Sequence, residues 1–132
     1  MCGRYTMKEK TEDLEAWFDA TVEDLENLQP NFNVAPSQVM PVVGQNPEGP
    51  RSILPFRWGL LPFWAKEKKV GYSMINARAE TLDTKKSFKP YFEKHRCIVP
   101  ASGFYEWKGK KGNKTPHYIF PTHDPMFAFA GL

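Results

Sequence analysis

Residues 96–122 read RCIVPASGFYEWKGKKGNKTPHYIFPT. Two arms rich in β-branched and aromatic residues, 96–108 and 115–122, flank the polar, glycine-containing GKKGNK. That pattern predicts two antiparallel strands joined by a hairpin loop. Side chains alternate along a strand, so Phe104 and Glu106 fall on one face of the first arm and Tyr105 and Trp107 on the other. Working upstream, QVMPVVG (38–44) and SILPFRWG (52–59) read as strands on either side of the turn-rich QNPEGP, and YSMINAR (72–78) is a third candidate. Thr84 to His95 has a mixed helical pattern, with Phe88, Tyr91 and Phe92 interrupted by Pro90. Downstream, PMFAFAGL (125–132) alternates like a strand and stops without a turn, cap or polar tail. The chain is therefore expected to be the front part of a longer domain, the alternative being a strand whose end the rest of the fold covers.

The one long helical pattern is TEDLEAWFDATVEDLENL (11–28). Leu14, Trp17, Phe18, Leu25 and Leu28 fall on one face at helical spacing. Thr11 is the expected N-cap, Glu12 and Asp13 suit the positive end of the helix dipole, and Pro30 is expected to close the helix. Trp17 and Phe18 are expected in the core.

A chain of 132 residues with ten phenylalanines, five tyrosines and four tryptophans is sized for one globular domain, here spanning 1–132. Cys2 and Cys97 do not make a disulfide framework, and no apolar run approaches the roughly 18 residues of a membrane span. A reducing, cytoplasmic setting is expected. His95, His117 and His123 are scattered and no CxxC or HxxxH spacing occurs, so neither a metal nor another cofactor is expected. Charge is segregated. Residues 8–26 carry eight acids against two lysines, and residues 85–114 carry nine bases against Glu93 and Glu106. Two solvated faces of opposite sign would explain this, and the basic one also suits a polyanion.

Four features bear on chemistry. The chain opens MCGRYTM, so removal of Met1 would give Cys2 a free α-amine beside its thiol. With pKa values of about 7.7–8.0 and 8.5, both groups are available near neutrality. An amine condenses with an aldehyde to an imine, and the neighbouring sulfur closes a thiazolidine with the effective molarity of an intramolecular step. A lone Cys2 is also a common accident. In INARAET (75–81), Asn76 and Arg78 would share one side of a strand, an amide and a guanidinium suited to phosphate. A polar strand face with an ion pair to Glu80 or Asp83 explains the spacing equally well. Glu106, beside an aromatic, is a candidate proton shuttle if partly buried and otherwise a solubilising surface group. In RWGLLPFW (57–64), Trp58 reads as core, whereas Trp64, after Pro62, is either packed or a stacking platform for a nucleobase.

Taken in order, MCGRY, NFNVAPSQ (31–38), RWGLLPFW, INARAET, Phe88, RCIVPASGFYEWK and PHYIF (116–120) closely resemble the SRAP family, the SOS-response-associated peptidase domain, across nearly the whole chain. The resemblance implies loss of Met1, thiol autopeptidase activity on the protein's own N-terminus, and a thiazolidine crosslink between Cys2 and the ring-opened aldehyde of an abasic site in single-stranded DNA. It implies Cys2 as nucleophile, Asn76 as the amide holding the N-terminus and sugar, and Glu106 as the proton-moving carboxylate. Arg4 and Arg78 would grip phosphates, Trp64 would lie near the DNA path, and Asn33 would help build the site. The family also uses a histidine followed by Arg, Met and Pro. No such stretch occurs here, and none of the three histidines takes that role. The fold expected is α+β, a mostly antiparallel, barrel-like sheet with peripheral helices and a positively charged groove opening near Cys2, Asn76 and Glu106. A monomer acting at the nucleoid during DNA damage is expected, with no membrane partner. Two other readings of the same residues are a non-catalytic single-stranded nucleic-acid module and a cysteine peptidase acting on other proteins.

Overall fold

The computed structural model describes residues 2–25, 28–45 and 47–132. Within them the fold is α+β, built on two sheets. Strand β1 (Tyr5–Met7) lies between β3 (Asn31–Val34) and β7 (Gly103–Lys110), and β8 (Asn113–Ile119) closes that sheet in the order β3-β1-β7-β8. The second sheet runs β2-β5-β4-β6-β9, from β2 (Ala20–Val22), β5 (Arg51–Arg57), β4 (Val39–Gln45), β6 (Cys97–Ala101) and β9 (Phe127–Gly131). All pairings are antiparallel except β2 with β5. The sheets remain two and do not close into a barrel.

The hairpin expected within 96–122 forms over β7 and β8, turning at Lys111–Gly112, with Lys110 opposite Asn113. Gly112 takes φ +89°, a conformation open to glycine and strained for other residues. One chain path serves both sheets: β6 ends at Ala101, Ser102 turns the backbone, and β7 begins at Gly103. The Ser102 N–H donates to the Thr6 carbonyl at 2.8 Å, and its buried hydroxyl accepts the Lys8 N–H and donates to the Glu9 carboxylate. The core lies between the sheets. Tyr5, Met7, Val34, Met40, Val43, Ile53, Ala101 and Met126 are buried there, and Phe104 packs against Phe127 and Phe129 at centroid distances of 5.9 and 5.7 Å.

The expected helix over 11–28 is corrected. Helix α1 spans Thr11–Phe18 only. Asp19 adopts a left-handed conformation (φ 48°), and the next three residues pair with β5, Ala20 opposite Arg51. Residues 26 and 27 lie outside the described residues. Lys10, not Thr11, is the N-cap; its backbone N–H donates to the Asp13 carboxylate at 3.0 Å. So short a helix buries Leu14 and leaves Trp17 46% exposed, against the core position expected for it, while Phe18 packs half-buried on the core. Helix α2 (Lys89–Lys94) starts where Pro90 was expected to interrupt, because proline is tolerated in a first turn whose N–H groups have no helical acceptor.

Candidate active site around Cys2

Strand β1 is buried along its whole length and held on both edges, by Tyr5 opposite Val34 and opposite Phe104. That anchorage sets residues 2–4 at the end of the sheet. Cys2 is half-buried against the core, and its Sγ donates to the Arg4 carbonyl at 3.2 Å. The same carbonyl accepts the Tyr105 N–H at 2.9 Å, tying the N-terminal segment to β7 beside Glu106. Burial pushes the Cys2 thiol above its ordinary pKa, and the negative charge of Glu106 pushes the same way. The thiol is thus held largely protonated at neutral pH. Met1, on which the expectation of processing falls, lies outside the described residues.

Asn76 reaches the site differently from the expectation. Residues 72–78 are not a strand: Lys68–Ser73 form a 3-10 turn, and 74–78 continue as irregular backbone. The shared strand side for Asn76 and Arg78 therefore does not exist. The loop is fastened to RWGLLPFW instead. The Leu60 N–H donates to the Met74 carbonyl at 3.0 Å, and the Trp58 indole N–H donates to the Ile75 carbonyl at 2.8 Å. Gly59, at φ +126°, lies so close to Gly71 that a Cβ there would stand 2.7 Å from the Gly71 oxygen. From this base Asn76 Nδ2 donates to the Cys2 carbonyl at 2.6 Å. The amide grips Cys2 by its carbonyl, while the sulfur is turned to the Arg4 carbonyl.

Glu106 sits half-buried on β7, opposite His117 in the β7–β8 ladder, on the face of Phe104. Arg4 is half-buried and folds its guanidinium onto the Gly3 carbonyl at 2.8 Å. The structure thus gathers Cys2, Arg4, Asn76 and Glu106. The other expected residues stand around them. Asn33 is exposed on β3, its N–H donating to the Asn31 side chain. Arg78 is exposed at the head of the 3-10 turn Ala79–Thr81. Trp64 is 52% exposed, beside Phe63 at 84%, on a turn closed by the Ala65 N–H to the Pro62 carbonyl. Among the described residues none of these three side chains hydrogen-bonds to Cys2 or Asn76. All nine basic side chains of 85–114 are exposed. The sequence pattern around Trp58 points to the core alone. Trp58 does pack on the core, but its N–H also holds the Asn76 loop, and the requirement of a part-buried indole N–H for an acceptor was the available signal.

The model of the SOS response associated peptidase family, SRAP, matches residues 1–132. The chain belongs to the SRAP family. This SRAP chain is 43% identical over 136 residues to the abasic site processing protein YoqW of Bacillus subtilis, a match covering all of the chain and 59% of that relative. It is 36% identical over 103 residues to the abasic site processing protein HMCES of Gallus gallus, covering 70% of the chain and 31% of HMCES. A solved protein from Bacteroides thetaiotaomicron shares the fold at a TM-score of 0.84 and 29% identity, over 98% of this chain and 58% of that one. The chain thus spans about 59% of the length of the bacterial relative it matches.

Proposed function

We propose that this SRAP chain captures abasic sites in single-stranded DNA covalently through Cys2 after Met1 has been removed. The observation that carries the reading is the 2.6 Å bond from Asn76 to the Cys2 carbonyl, which fixes an otherwise terminal residue beside Glu106. The naming of its relatives as abasic site processing proteins supports the same reading.

Hydrolysis of the Met1–Cys2 peptide bond, by the protein's own thiol or by a cellular aminopeptidase, frees the α-amine. Neutral amine adds to the C1′ aldehyde of the ring-opened sugar, and loss of one water gives an imine. Sγ adds to the imine carbon while the thiol proton passes to the nitrogen, closing a five-membered ring. Glu106 is the nearby group to carry protons to and from the sugar oxygen and the sulfur. Arg4 and Arg78 are assigned to phosphates, and the exposed Phe63–Trp64 turn and basic stretch to the strand on either side.

The test is Cys2→Ala with an abasic single-stranded oligonucleotide. Wild type gives a denaturation-resistant adduct, at a mass of protein lacking Met1 plus DNA minus one water, and the variant gives none. An adduct formed by Cys2→Ala sinks the mechanism. Salt-sensitive binding of intact and abasic strands alike, with no adduct from either protein, would favour a purely binding role.

A further inference from the structure

We propose that Trp58 is a positioning residue that sets Asn76 on the Cys2 segment, acting through both sides of its indole. The rate readout below rests on the capture reading above; the structural readout does not.

Trp58 sits at a junction. Its backbone is fixed just after β5, with its N–H donating to the Gln38 carbonyl at 2.9 Å and its carbonyl accepting the Ser37 N–H at 2.8 Å. The ring meets Tyr5 edge-on, with centroids 5.4 Å apart and planes at 61°. Tyr5 is buried on β1, three residues from Cys2. The opposite function of the same ring is its N–H, which donates to the carbonyl of Ile75, the residue before Asn76. One rigid side chain therefore touches the segment that presents the nucleophile and the segment that presents the amide. A planar indole with two side-chain torsions transmits little slack between them.

The need for such a strut follows from the loop. Residues 74–78 belong to no strand, so no ladder holds them. The bonds on Leu60 and Met74 fasten the loop two residues before Asn76, and Trp58 adds the bond one residue before it. Without the indole N–H, the Ile75 carbonyl would turn to water and the Asn76 side chain would swing with it. Misplacement on this scale is enough to slow a reaction whose partners must meet in one geometry.

The experiment is Trp58→Phe in the full chain, which keeps a ring against Tyr5 and removes the N–H. In wild type, NMR should show one Asn76 side-chain amide proton shifted downfield and slow to exchange, as its bond to the Cys2 carbonyl requires. In Trp58→Phe that signature should disappear while the rest of the spectrum stays folded. Single-turnover capture should slow by no more than Asn76→Ala slows it, up to about twelvefold, with half-saturating DNA concentration unchanged. In an Asn76→Ala background, Trp58→Phe should add nothing, because one acts through the other. An unchanged Asn76 amide signal, or effects that multiply in the double variant, overturns the proposal. Should Trp58→Phe fail to fold, 3-benzothienylalanine at position 58 keeps the bicyclic shape without the N–H, and the same outcomes decide. If wild type forms no adduct at all, the capture reading falls, and the NMR comparison still decides the role of Trp58.

Discussion

Asn76→Ala separates reactivity from stability. The substitution removes the 2.6 Å bond between Nδ2 and the Cys2 carbonyl and little else, because the Asn76 side chain is exposed. A hydrogen bond between neutral groups contributes about 0.5–1.5 kcal/mol net. Deleting it lowers the docking equilibrium constant of the N-terminal segment by roughly two- to twelvefold. If only the docked segment reacts, the single-turnover rate of adduct formation falls by up to the same factor. Global stability should barely follow, since β1 keeps its pairings to β3 and β7. A loss of at most about 1 kcal/mol in a domain of this size moves Tm by no more than about 4 °C. The assay is a quenched time course with abasic oligonucleotide in excess, resolved on a denaturing gel, beside a thermal melt of the same samples. An unchanged rate at equal DNA occupancy would refute the docking argument. A rate loss that merely tracks unfolding would refute it as well.

Further outcomes are expected at Cys2 and at the two glycines. In the chain that keeps Met1, alkylation of Cys2 by iodoacetamide should accelerate with rising pH, with its midpoint above that of a free thiol, because burial and the Glu106 charge both disfavour the thiolate. Glu106→Gln removes the charge and should move that midpoint down, giving faster alkylation at pH 8; a midpoint that stays or rises contradicts the assigned sign. Gly59→Ala should destabilise by about 2–4 kcal/mol, from a left-handed φ combined with a Cβ 2.7 Å from the Gly71 oxygen. Gly71→Ala, whose closest contact is 3.2 Å to the Gly59 oxygen, should cost less than about 1.5 kcal/mol. Urea denaturation midpoints in the reverse order would show that the close approach of these two loops is misjudged.

Much of this protein is local, and local features are legible without coordinates. The β7–β8 hairpin follows from alternation on either side of a glycine-containing turn, and β4 with β5 from two strand-like runs around QNPEGP. Cys2, Glu106 and the motifs that place the chain in its family are equally visible, because they depend on residue type and order.

What the tertiary structure decided is non-local. Helical periodicity continued past Phe18, yet the chain turned at Asp19 because pairing with β5, some thirty residues on, satisfies the backbone of Ala20–Val22 in the sheet. Residues 72–78 have strand composition but pair with no strand; the Leu60 backbone N–H and the Trp58 indole N–H hold them instead. Asn76 consequently meets Cys2 from a loop rather than a sheet face. Residue types name the reacting groups, whereas contacts across 74 positions of chain set the distance between them, and one-dimensional spacing carries no record of that distance.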